Sequence, residues 1–332
     1  MSFSVKQIKA ILSSHNMPVE DLDGATEEIC GRHTADLDSI KEERDNLRKD
    51  IEALSALKEE NEQLKGQLAD KVILVGDPAR VNMVASFFDK GSIECDVQSR
   101  EFHTITGKYN GQRVSCVSHG IGTDNIDIVL TELDALVNVD FETREVCDTL
   151  KSLTIVRVGT SGGMQDFCPI GSYVVSKRSI GFDGVLNYYS GENVCDLDFE
   201  DKFCKHVGYS ARYARPYVIS ADEKLVEQIG YDMIKGVTIS APGFYAPQGR
   251  WVRLQPQDPE LNAKIRTFDY NGEKITNYEM ESSAVAGLSR LLGHRAMTVC
   301  CIIAGRTSGD MNTEYHGTME KLVETVLQRL MK

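Results

Sequence analysis

Five short segments of this 332-residue chain gather residue types that hold anions or stabilise moving charge. Gly76-Asp77-Pro78-Ala79-Arg80 follows the apolar run 72–75, and Arg157-Val158-Gly159-Thr160-Ser161-Gly162-Gly163 continues the run 153–158. In both, a strand end, a glycine and an arginine coincide, so backbone N–H groups can approach an anion while a guanidinium adds charge and a fork of donors. Either loop taken alone is equally a tight turn with a surface arginine. Neither has the spacing of the Gly-x-x-x-x-Gly-Lys-Ser/Thr phosphate loop or of the dinucleotide fingerprint, which leaves ATP- and NAD-dependent chemistry without support. The loop 236–250 places Phe244, Gln248 and Arg250 within seven residues. Glu279 and Glu281 flank Met280 where a helix is expected to open, a position that suits acids through the helix dipole whether or not they meet a ligand. The apolar run 296–304 leads into Gly305 and another arginine, Arg306.

Something must bring these segments together. Apolar, β-branched runs at 72–75, 114–117, 153–158, 173–175 and 296–303 alternate with helical spacing at 126–137, 280–292 and 317–330. Continuous apolar strands with helices between them predict a sheet covered on both faces, with ligands beyond the carboxyl ends of its strands. The chain carries 37 Lys and Arg against 50 Asp and Glu, net −13, which argues against a role in coating nucleic acid. Residues 1–70 hold net −7 of that charge, whereas 24 of 27 glycines and 7 of 8 prolines lie after residue 70. Two kinds of polypeptide therefore meet near Asp70. Segment 37–70 has Ile40, Leu47, Leu54, Asn61 and Leu68 at one heptad position and Leu57 and Leu64 at another, interrupted by Glu43 and Asp50. It reads as a short self-associating coiled coil registered by Asn61, or as a charged spacer helix. Segment 1–36 holds two short amphipathic stretches with no assignable role, and 71–332 forms the body. No apolar run reaches the length of a membrane span, the amino terminus lacks a secretory signal, and nine cysteines show no Cys-x-x-Cys pair. A cytoplasmic protein with no metal and no cofactor is expected.

The motifs taken together resemble those of the uridine phosphorylases within the nucleoside phosphorylase family, over residues 68–329. Gly-Asp-Pro-x-Arg, Arg-Glu-Phe, Arg-x-Gly-Thr-x-Gly, Phe-Tyr-x-x-Gln-x-Arg, Asn-Tyr-Glu-Met-Glu-Ser and Arg306 follow one another in the family's order. The resemblance implies a three-layer α/β/α fold around a central mixed sheet. It also implies reversible phosphorolysis of uridine, with deoxyuridine or thymidine as further substrates, to uracil and ribose 1-phosphate in pyrimidine salvage. Phosphate is then a co-substrate, held by the Gly76 backbone, Arg80, Arg157 and Thr160, with Arg100 reaching across from a neighbouring subunit of a dimer or trimer of dimers. Gln248 and Arg250 would recognise and stabilise the base, with Phe244 lining the pocket and Arg306 in place of the aspartate that purine-specific relatives use at N7. Glu281 would accept from the ribose hydroxyls, Met280 would pack on the sugar, and Glu279 would border it.

Two departures from the family pattern stand out. The family places a histidine just upstream of the first strand to meet the ribose 5′ hydroxyl of a neighbouring site. The charged segment replaces it here, and neither His15 nor His33 matches that context. Gly305 stands where relatives often carry asparagine. Some members also bind a monovalent cation between subunits, near the positions of Glu101 and Ile121, with Asn125 at the remaining place. A purine nucleoside phosphorylase or nucleosidase, and an assembly protein carrying a weakened phosphorylase module, are the alternatives.

Overall fold

The computed structural model describes residues 66–306 and 309–332 together with positions 46 and 49. The expectations for segment 1–36, for the heptads of 37–65, and for His15 and His33 lie outside the described residues. Contacts divide the chain between residues 63 and 64, and the unit that follows is the carboxyl-terminal one.

Its strands are β1 (Lys71–Val75), β2 (Cys95–Ser99), β3 (Phe102–Tyr109), β4 (Gln112–Ser118), β5 (Val139–Asp140), β6 (Glu145–Val146), β7 (Thr154–Gly163) and β8 (Tyr173–Gly181). β9 (Tyr217–Ser220), β10 (Ile234–Ser240), β11 (Asp269–Tyr270), β12 (Glu273–Glu279) and β13 (Arg295–Gly305) complete them. The helices are α1 (Pro78–Ala85), α2 (Thr123–Asn138), α3 (Leu197–Val207), α4 (Glu223–Gly230), α5 (Leu261–Thr267), α6 (Ser282–Leu291) and α7 (His316–Leu330).

Apart from the ribbon β5–β6, the strands form one mixed sheet in the order β11-β12-β10-β8-β13-β7-β1-β4-β3-β2, with β9 added to β8. β1 is parallel to both neighbours, β4 and β7, and its side chains alternate between two cores. Ile73 and Val75 pack with Val81 and Val84 of α1 and Leu322 and Val326 of α7. Val72 and Leu74 pack with Ile126 and Leu130 of α2 and Val285 of α6. A strand apolar on both faces requires cover on both. The expected three-layer α/β/α architecture with a central mixed sheet follows from that requirement.

The sheet also closes locally, because Asn277 and Tyr278 of β12 pair antiparallel with Gly163 and Gly162 of β7. β7, β12, β10, β8 and β13 thus form a closed ring, and a third core joins Ile180 of β8, Ile239 of β10 and Tyr278 of β12 to Phe199 and Phe203 of α3. One sequence expectation changes here: residues 277–279 end a strand, and the helix starts only at Ser282.

Ring closure depends on close approach between β10 and β12. A Cβ on Gly236 would lie 2.1 Å from Thr276 Cγ2 and 2.6 Å from its Oγ1, and that hydroxyl donates to Asn277 Oδ1 at 2.8 Å. Gly236→Ala is expected to destabilise the body by about 1–3 kcal/mol through overpacking. Chemical denaturation measures this, and an unchanged midpoint would contradict the close approach.

Candidate active site

Where β1, β4, β7, β10, β12 and β13 end, a cavity of about 780 Å³ opens. Its walls include Gly76, Arg80, Arg157, Thr160, Phe244, Gln248, Arg250, Glu279, Met280, Glu281 and Arg306. Residues scattered from 76 to 306 are thereby gathered into one space. Arg100 is the exception: it is exposed at the tip of the β2–β3 hairpin with φ 55°, while the adjacent Glu101 lines the cavity. Ile121 and Asn125 also line it, and Asn125 Nδ2 lies 3.4 Å from Glu101 Oε1. Among the described residues, no group of three or more His, Cys, Asp and Glu side chains forms a metal-holding set.

The Gly76 turn passes directly from β1 into α1. Asp77 Oδ1 accepts the Ala79 N–H at 2.8 Å and Pro78 takes the first helical position, so Arg80 projects from the first turn. Arg80 has no ion pair among the described residues, and burial lowers its pKa.

Arg157 is almost fully buried and heavily committed. Its Nη1 pairs with Glu279 Oε2 at 2.9 Å, its Nη2 with Glu281 Oε2, and its Nε donates to His119 Nε2 at 3.2 Å. Burial alone would depress its pKa, but Glu281 and Glu279 more than offset that and raise it. Burial pushes the Glu281 carboxyl upward while Arg157 opposes the shift. His119 is held well below its ordinary value by burial and then by Arg157 and Arg80, so the imidazole is neutral. Sequence reasoning missed His119. The signal was available, since the run 114–117 ends on Ser118-His119-Gly120, another strand end meeting a glycine.

The two carboxylates divide their work. Glu279 Oε1 accepts from the Ser240 hydroxyl at 2.6 Å and the Ser282 hydroxyl at 2.7 Å, and Oε2 accepts from Glu281 N–H at 2.8 Å and Ser282 N–H at 2.9 Å. It staples the start of α6, the helix-terminus role set out above, although it borders the cavity. Glu281 Oε1 accepts the Gly122 N–H at 2.8 Å and so ties α6 to the start of α2.

In the same cavity Gln248 is 3 % exposed, and its side-chain oxygen accepts from both Arg250 Nη1, at 3.1 Å, and Arg306 Nη2. Its backbone oxygen accepts from Arg306 Nη1 and Asn262 Nδ2, both at 3.0 Å. With the carbonyl end occupied, the free side-chain atoms of Gln248 are donors; an acceptor toward a base N3–H, as the resemblance implies, requires one guanidinium to yield. Arg250 also stacks 3.9 Å from the centroid of Phe244. Burial and the neighbouring Arg250 bring Arg306 down to about 10, still cationic at neutral pH.

Residues 70–332 match the family model of the phosphorylase superfamily. A uridine phosphorylase of Thermococcus kodakarensis is 30% identical over 251 residues, 74% of this chain and 76% of that protein. A DeoD-type purine nucleoside phosphorylase of Vibrio cholerae is 25% identical over 270 residues, 80% of this chain and 93% of that protein. The crystal structure of a Trypanosoma brucei nucleoside phosphorylase that shows uridine phosphorylase activity aligns with a TM-score of 0.74 and 28% identity, covering 80% of this chain and 94% of that one. With 70–332 matched and the site assembled at the strand ends of that body, the chain belongs to the phosphorylase superfamily.

Proposed function

We propose that the protein catalyses reversible phosphorolysis of uridine, with deoxyuridine and thymidine as further substrates. Phosphate attacks the anomeric carbon with inversion, the C–N bond breaks, and its electron pair leaves on uracil. The transition state resembles an oxocarbenium ion, so the site has to hold a dianion and receive an anionic base. In this reading the Gly76 backbone, Arg80, Arg157 and Thr160 hold phosphate. Glu281 accepts from the ribose hydroxyls, Met280 packs on the sugar, and Glu279 locks the Arg157–Glu281 geometry. Arg100, outside its own cavity, serves a neighbouring copy in a cytoplasmic homo-oligomer, and a monovalent cation near Glu101 and Asn125 belongs to the same arrangement.

The observation that carries the pyrimidine assignment is the arrangement of Arg250 and Arg306 about one Gln248 oxygen. Three donor groups suit a ring with two carbonyl oxygens that gain charge as the base departs. They offer no carboxylic acid to protonate a purine N7. The purine reading is kept as an outcome of the test because a purine-named relative matches over a similar span. Uridine, thymidine and inosine are assayed with and without phosphate; phosphate-dependent release of uracil is expected. Equal cleavage without phosphate, or a large preference for inosine, would overturn the reading.

Gly162 supplies a further check. A Cβ there would lie 2.6 Å from Arg306 Nε. Gly162→Ala is expected to dislodge Arg306 and raise the nucleoside KM roughly tenfold, the scale of one charge-assisted hydrogen bond, with the phosphate KM unchanged. A rise confined to the phosphate KM would place Arg306 elsewhere in the reaction.

A further inference from the structure

We infer that His119 is a positioning residue for phosphate capture, an uncharged acceptor that pins Arg157 without consuming its charge. The inference rests on the phosphorolysis reading above. An arginine has five N–H donors. The Arg157 Nε–H goes to His119 at 3.2 Å, one Nη1 hydrogen goes to Glu279 at 2.9 Å, and one Nη2 hydrogen goes to Glu281. Cys300 Sγ, 3.7 Å from Nη1, weakly occupies a fourth. One hydrogen on Nη2 is left for a ligand. The guanidinium lies against Gly159, a cavity-lining residue at which a Cβ would sit 2.8 Å from Nη1 and 3.1 Å from Nη2. Any side chain at that position would cover the group.

The choice of acceptor follows from charge. Arg157 already faces two buried carboxylates, and a third acid at position 119 would leave the pocket repelling a phosphate dianion. A cation there would repel Arg157 itself. A neutral imidazole, fully buried and with Nε2 accepting, fixes the guanidinium and leaves the local charge as it was. A Cβ added at Gly76 would meet its Cε1 at 3.7 Å, so the same ring sits beside the turn that leads to Arg80.

The test compares His119→Gln, whose amide oxygen reaches the position of Nε2, with His119→Asn and His119→Leu, which leave the Arg157 Nε–H without an acceptor. Initial rates at varied phosphate and varied uridine are measured on all four proteins, together with calorimetric titration of inorganic phosphate. The phosphate KM is expected to rise roughly 10- to 100-fold in the Asn and Leu variants, the range for losing a hydrogen bond to a charged group, while the uridine KM stays within about threefold. His119→Gln is expected to stay within about threefold of wild type in both. If His119→Leu does not fold, the Gln and Asn pair decides. Equal behaviour of Gln and Asn, or parallel changes in both KM values, would overturn the positioning role. A wild-type protein whose turnover ignores phosphate would instead overturn the phosphorolysis reading.

Discussion

Replacing Arg157 by methionine is expected to cost about 3–5 kcal/mol of stability and to remove measurable phosphate-dependent turnover. The stability loss arises because the guanidinium is the shared cation of Glu279 and Glu281, both buried, and methionine leaves two carboxylates facing each other without it. Burial already pushes Glu281 up, and Arg157 is the group that opposes the shift. In the variant, burial and Glu279 act together, so the folded state retains a proton at pH values where the unfolded chain has lost it. A folded pKa raised above the unfolded value stabilises fully below the unfolded carboxylate range, and that contribution is lost as pH rises through the raised value. The deficit relative to wild type should therefore be larger at pH 8 than at pH 6. Chemical denaturation of both proteins at the two pH values reads it. An equal deficit at both would mean that the carboxylates are not the cause, and no deficit would mean that the pair contributes nothing net.

Much of this arrangement is legible from local sequence. Runs such as 72–75 and 296–303 are apolar on both faces, and a strand of that kind has few places to go except the middle of a covered sheet. The strand-end glycines then locate the ligand side, since backbone must approach ligand there. What is not legible is non-local. Residues 277–281 look like a helix start because two acids border a helical spacing, yet β12 runs on to Glu279, with Asn277 and Tyr278 paired to Gly163 and Gly162, more than a hundred positions away, and Glu279 paired to Ser240. The unequal roles of Glu279 and Glu281 depend on Ser240 and Gly122, contributed by other elements. His119 is a single histidine at a strand end, a pattern shared with any buried core histidine, and only its distance to Arg157 separates the two cases. Arg100 is assigned to the phosphate site only by resemblance; within its own chain it is exposed at a hairpin tip and does not line the cavity.

Arg250→Ala is expected to lower kcat for uridine by roughly 10²–10³-fold, the scale for losing one preorganised donor to developing charge. The side chain donates to Phe244 O at 3.0 Å and Gln248 Oε1 at 3.1 Å, so its loss removes a cation and also releases the amide that Arg306 shares. Arg306 cannot replace it. Its guanidinium is bound to both the backbone and side-chain oxygens of Gln248, and removal of Arg250 leaves the burial that lowers its pKa and relieves only the added repulsion, without freeing either nitrogen. On the proposed reaction the interaction strengthens as charge moves onto uracil, so kcat and kcat/KM should fall together, whereas a loss of simple ground-state binding would raise KM alone. Arg250→Lys separates charge from geometry. It keeps the cation but not the planar guanidinium that lies on the Phe244 ring while its Nη1 serves two acceptors, so an intermediate rate is expected. Folding stability should change little, since Arg250 is only half-buried and has no carboxylate partner among the described residues. Near-normal uridine turnover in the alanine variant would remove the base from this end of the cavity, and with it the reason for preferring a pyrimidine.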